Sequence, residues 1–115
     1  AQYAAYLGND LEILCAGSNG MFCIEDSVCA GKLIHEIRNI KDDLTITDAA
    51  RASLVLSETL GLDVYKMLSE CEHGQLLIKN GFEEDIKFCA ELNSNNIIAS
   101  FKTGVVKKTV LPDND

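Results

Sequence analysis

Ile13-Leu14-Cys15-Ala16-Gly17-Ser18-Asn19-Gly20-Met21-Phe22-Cys23-Ile24-Glu25-Asp26-Ser27-Val28-Cys29-Ala30-Gly31 is the stretch whose reading decides the fold. Leu11 to Ala16 is a short apolar run that stops at glycine, which reads as a buried strand. Gly17, Ser18, Asn19 and Gly20 tolerate tight or left-handed backbone, so residues 17–23 read as a loop. From Glu25 to about Asn39 the residues Val28, Cys29, Leu33, Ile34 and Ile37 recur at three- and four-residue spacing, which predicts a helix with one apolar face. Ala30 and Gly31 are small enough to let another backbone come close. A strand, a small-residue loop and a helix start bring N–H groups and carboxylates together beyond a strand end. That is where α/β proteins usually keep their ligands.

On the amino-terminal side, residues 2–7 read as the end of a helix closed by Gly8. On the carboxy-terminal side, Thr47 is a good N-cap for a helix from Asp48 to Leu60, which Gly61 ends. Asp63 to Glu70 and His73 to Lys79 read as two short helices, the second stopped by Asn80-Gly81. Glu83-Glu84-Asp85 suit a helix N-terminus and open another to about Leu92. Beyond Asn93-Ser94-Asn95-Asn96, the runs Ile97–Lys102 and Val105–Val110 are β-rich and joined at Thr103-Gly104, a terminal hairpin. Pro112 to Asp115 are expected to fray. The class predicted is α/β, a layered α/β/α arrangement with a mixed sheet, in a single domain over residues 1–115.

Composition narrows the partners. Ten Lys and Arg against eighteen Asp and Glu give a net charge of −8. Nucleic-acid binding needs a Lys/Arg face, and Lys107-Lys108 is the only basic cluster, so nucleic acid is not expected. No apolar run has the length of a membrane span. The five cysteines are odd in number and form no C-x-x-C pair, and Cys15, Cys23, Cys29 and Cys89 sit in apolar patterns. They read as buried reduced thiols of a cytoplasmic protein rather than as zinc ligands.

Glu25-Asp26 is the first candidate for chemistry. Mg²⁺ prefers one or two carboxylates, with waters and substrate oxygens completing its shell, and adjacent carboxylates at a helix start supply them from one rigid turn. The same pair also suits any helix start through the macrodipole. Gly17, Ser18, Asn19 and Gly20 could cradle a phosphate with backbone N–H groups, or form an ordinary strand-to-helix turn. His73, between Glu72 and Gly74, could act as a general acid to a leaving alkoxide or hydrogen-bond a phosphate. It is equally at home as a helix-start histidine. His35, beside Glu36, reads as a surface or interface residue.

The stretch from Cys15 to Gly31 resembles a segment of the 2-phosphosulfolactate phosphatases. That segment reads Cys-Ala-Gly, two variable residues, Gly, x, Phe, Ser, x, Glu-Asp, then a small-residue Ala-Gly helix. A second likeness lies at His73-Gly74 and at Gly81-Phe82-Glu83-Glu84-Asp85-Ile86-Lys87-Phe88-Cys89-Ala90. The resemblance implies Mg²⁺-dependent hydrolysis of 2-phospho-3-sulfolactate to sulfolactate and phosphate, a step of coenzyme M biosynthesis in some lineages. It implies Glu25, Asp26 and His73 as catalytic residues, Glu25 and Asp26 as metal ligands, and Gly17 to Gly20 as the phosphate-binding loop. It also implies that the chain is the carboxy-terminal half of a larger two-part fold, in keeping with an opening that lies mid-helix and lacks Met. Two positions depart from the pattern. Cys23 stands where Ser is expected, and Gln75 stands where an arginine would follow His-Gly. The substrate would be a small anionic phosphate ester, and a homo-oligomer is compatible. The alternative is a non-catalytic α/β domain for oligomerisation or small-anion binding.

Overall fold

The computed structural model describes residues 1–110, so the expected fraying of Pro112 to Asp115 lies outside the described residues. Helix α1 spans Gln2–Leu7, α2 Ile24–Ile40 and α3 Asp48–Thr59, followed by a 3-10 turn at Leu60–Leu62. Helices α4 Val64–Glu70, α5 Glu72–Lys79 and α6 Glu83–Ala90 come next, then strands β1 Ile98–Lys102 and β2 Val105–Thr109.

The local signals form these elements for the expected reasons. Gly8 closes α1 in the left-handed conformation at φ 68°. The Thr47 hydroxyl accepts the Ala50 N–H at 3.2 Å and starts α3. The Asp63 carboxylate does the same for α4, accepting from Lys66 N–H at 2.9 Å. In the hairpin, Thr103 and Gly104 both have positive φ, the two-residue turn whose twist suits paired strands, and Ile98 pairs with Thr109.

The core lies between α2 and α3, where Val28, Ile34, Ile37 and Leu54 are buried. Gly31 is the point of closest approach: a Cβ there would lie 2.0 Å from the Ser53 carbonyl oxygen of α3. A second cluster, Met67, Cys71 and Ile86, joins α4, α5 and α6. Gly61 connects the two, buried against Val28 and the Lys32 stem. The Tyr65 hydroxyl donates to the Glu83 carboxylate at 3.2 Å and ties α4 to α6.

Helix and sheet are both present, as the α/β class requires. The sheet of the described residues is the two-stranded antiparallel hairpin alone, β1 beside β2.

One expectation is corrected. Leu11 to Ala16 is neither a strand nor interior: it forms no regular element and joins no ladder, with Leu14 85% and Leu11 53% exposed. A strand exists only by pairing, and among the described residues none lies beside this run.

Candidate active site

The loop after residue 16 is a tight turn. Ser18 and Met21 exchange backbone hydrogen bonds, Ser18 N–H to Met21 O at 3.2 Å and Met21 N–H to Ser18 O at 2.8 Å. Asn19 and Gly20 carry the positive φ this requires, 52° and 75°. Gly17 is also left-handed, and a Cβ there would lie 2.6 Å from the Met21 carbonyl oxygen.

The turn is bound to α2 through Asp26. Gly17 N–H donates to Asp26 Oδ2 at 2.7 Å, a charge-assisted bond linking the loop to the first helical turn. Two N–H groups of the expected cradle are thereby used inside the protein, those of Gly17 and Ser18. The N–H groups of Asn19 and Gly20 make no hydrogen bond among the described residues. Glu25 and Asp26 are half-buried in the first turn of α2, beside the helix N-terminus.

The structure adds a residue that sequence reasoning missed. Cys71 is the N-cap of α5 and is 8% exposed. Its Sγ accepts the Gly74 N–H at 3.3 Å and donates to the Leu68 carbonyl at 3.2 Å. The Glu25 carboxylate lies close to this thiol and to that of Cys23, the N-cap position of α2. Desolvation pushes the Cys23 thiol up, and the charges of Glu25 and Asp26 push it further. Burial likewise raises Cys71, opposed by the Gly74 N–H and reinforced by Glu25. Both thiols are therefore held in the protonated form, which argues against a Cys23 nucleophile. The signal for Cys71 was present in its place two residues before His73-Gly74, at the start of an apolar helix.

His73 lies in the first turn of α5, two residues beyond Cys71, and is exposed. Glu25 and the start of α5 thus meet at Cys71, which brings the two sequence motifs into one region. The Gly of His73-Gly74 has a structural reason, since a Cβ there would lie 1.6 Å from the Leu68 carbonyl oxygen. Gln75 donates its side-chain N–H to the Ser69 carbonyl and so braces the α4–α5 junction instead of presenting a cation. Asp85, in the second motif, is exposed in the first turn of α6, and the neighbouring Glu84 pairs with Lys87 at 2.5 Å. His35 is exposed, 3.9 Å from Glu58 of α3.

Comparison with known proteins decides what this arrangement belongs to. The family model described as 2-phosphosulpholactate phosphatase matches residues 1–104. The chain belongs to that family. A probable 2-phosphosulfolactate phosphatase of Caldanaerobacter subterraneus subsp. tengcongensis is 29% identical over 107 residues, covering 93% of this chain and 44% of the relative. Relatives with the same name are 34% identical in Pseudothermotoga lettingae, over 77% of this chain and 38% of theirs, and 32% identical in Clostridium perfringens, over 90% and 42%. The chain therefore spans less than half the length of these curated relatives of the 2-phosphosulpholactate phosphatase family. No solved structure matches it significantly.

The five thiols give a direct check on the site. All are free in the structure, but the expectation that they are buried is corrected: Cys71 is buried and Cys23 half-buried, while Cys15, Cys29 and Cys89 are exposed, because an apolar neighbourhood in the chain does not place a residue on the packed face of its element. A thiol reagent in denaturant is expected to find five groups without reductant. In the native protein Cys71 should react last. Three groups or fewer would mean a disulfide and a different redox setting.

Proposed function

We propose that the protein of which these residues form part hydrolyses 2-phospho-3-sulfolactate to sulfolactate and phosphate. Membership of the family supports this reading, together with the one arrangement that ties its motif into a working unit: Asp26 holding the Gly17–Gly20 loop against the first turn of α2.

Each residue has a task in this reading. Asp26 fixes the loop through Gly17 N–H and keeps its second oxygen free of that bond. The N–H groups of Asn19 and Gly20 are the donors left to meet a phosphoryl oxygen. His73, exposed at the start of α5, would give a proton to the leaving alkoxide or hold the phosphate by a hydrogen bond. Cys23 and Cys71, both held protonated near Glu25, do not attack.

The donor set suits Mg²⁺. Two adjacent carboxylates on one turn meet its demand for one or two protein carboxylates. Among the described residues no group of three or more His, Cys, Asp or Glu converges, which argues against a site enclosed wholly by protein ligands. Bound by Glu25 and Asp26, the ion would supply charge stabilisation on the phosphoryl oxygens.

A trianionic ester needs cations, and the motif-bearing helices carry few: Lys32 and Arg38 lie further along α2, Lys79 ends α5, and Lys87 of α6 is paired with Glu84. The rest of the family's length would supply them. A cytoplasmic setting fits five unbridged thiols. No helix of the described residues is long and apolar enough to cross a membrane.

The test is phosphate release from 2-phospho-3-sulfolactate by a protein of full family length, with EDTA and with Mg²⁺ restored. Activity lost to EDTA and recovered with Mg²⁺ is expected, with none from the 115-residue chain alone. No release under any condition would favour the non-catalytic domain. Release by this chain at the full-length rate would overturn the shared cleft.

A further inference from the structure

Strands β1 and β2 pack chiefly on each other. Their register gives the hairpin two unlike faces. Ile98, Ser100 and Thr109 share the more covered one, where the Ser100 and Thr109 hydroxyls lie 2.5 Å apart. The other holds the cross-strand pairs Phe101–Val106 and Ala99–Lys108, and the two-residue period extends it to Ile97 and Val110. This face is open: Phe101 is 72% exposed and Val106 67%. A two-stranded hairpin is marginally stable by itself in water, so its apolar face calls for a cover. Helix α6 has an outward side of matching kind. Ile86 buries the inner side, and Glu84 and Phe88, one turn apart, share the opposite one. Phe88 is 68% exposed, and Leu92 just past the helix end is exposed too.

We propose that the Phe101–Val106 face of the hairpin docks on the Glu84–Phe88 side of α6 in a second copy of this chain, and that the contact is returned across a two-fold axis. Charge selects this pairing. Residues 97–110 carry Lys102, Lys107 and Lys108 and no carboxylate, in a chain whose net charge is −8. Residues 83–92 carry Glu83, Glu84, Asp85 and Glu91 against the single Lys87. Hairpin on hairpin would oppose lysine to lysine, and α6 on α6 would oppose carboxylate to carboxylate. Hairpin on α6 joins opposite charges around an apolar centre. The chain's own α6 is not the cover, because Phe88 and Phe101 are both open to solvent. A two-fold pair makes the same contact twice, which doubles its contribution to the dimer. The proposal concerns assembly and stands apart from the phosphatase chemistry.

Sedimentation equilibrium of a protein of full family length that contains these residues tests it. A dimer is expected, and Phe101→Glu should weaken it by at least about ten-fold in dissociation constant. Phe101 is exposed within one copy, so circular dichroism of the variant should show an intact fold. Charge reversal then identifies the partner surface. Lys108→Glu and Glu84→Lys should each weaken self-association, since each sets like charges together in both contacts. Mixed in equal amounts, the two variants should form a heterodimer near the parent affinity, because every contact again joins opposite charges. A protein that stays monomeric at all concentrations would overturn the proposal. So would a dimer that Phe101→Glu leaves intact, or two reversed variants that fail to associate when mixed. The readout is mass and not turnover, so a silent phosphatase assay leaves this result intact, and the reverse holds as well.

Discussion

Replacing Gly31 with alanine is expected to lower stability by about 3 kcal/mol, at the upper end of overpacking costs. The added Cβ would lie 2.0 Å from the Ser53 carbonyl oxygen, 2.6 Å from its carbon and 2.7 Å from the Ser57 Cβ. Two of these atoms are α3 backbone, so a side-chain rotation cannot relieve the clash and the helices must move apart. Their separation would loosen Val28, Ile34, Ile37 and Leu54 together. For a domain of this size the melting temperature should fall on the order of 10 °C or more. Gly20→Ala is the control. A Cβ there meets nothing within 4 Å, so only its positive φ is penalised, at roughly 1–2 kcal/mol. Thermal unfolding followed by circular dichroism separates the two. Equal losses would mean that contact with α3 is not what Gly31 provides.

The second large effect is expected on turnover. In a protein of full family length, Glu25→Gln should reduce hydrolysis of the phosphate ester by at least about ten-fold, which is roughly 1.4 kcal/mol in the barrier. Asp26→Asn should do the same and also destabilise the fold by about 1–2 kcal/mol, because it weakens the charged acceptor for Gly17 N–H. The split between the two variants is the informative part. Glu25 accepts no hydrogen bond from the loop, so its variant should melt normally while losing activity. Turnover at the parent rate in both variants, measured at limiting Mg²⁺, would reduce the carboxylate pair to a helix-dipole feature.

Both predictions come from one design: a loop and a helix start that the same short stretch of chain makes rigid. Asp26 serves the fold through Gly17 and leaves its neighbour Glu25 for other work. Cys71 serves in the same way at α5, where it caps the helix and lies against Glu25. Gln75, where the resemblance leads one to expect arginine, braces Ser69 through its amide, so under the proposed reading the positive charge for the ester falls to other residues.

Sequence alone determined what depends on neighbours in the chain. Thr47 as a helix cap, Gly8 as a helix end, the apolar spacing of α2 and the Thr103-Gly104 turn were all legible, because each is a bond or a backbone conformation set within a few residues. The small residues at Ala30 and Gly31 announced a close helix approach, and the family likeness announced the Glu25-Asp26 turn. Tertiary structure decided the rest. Only the fold shows that Gly17 N–H is claimed by Asp26, nine residues on, or that Cys71 stands against Glu25, forty-six positions away in the chain. The run Leu11–Ala16 marks the boundary most clearly. Its composition states a preference for a buried strand, but pairing and burial are properties of two segments at once. Among the described residues no second segment is there to meet it, so an apolar run stands in solvent with its backbone unpaired.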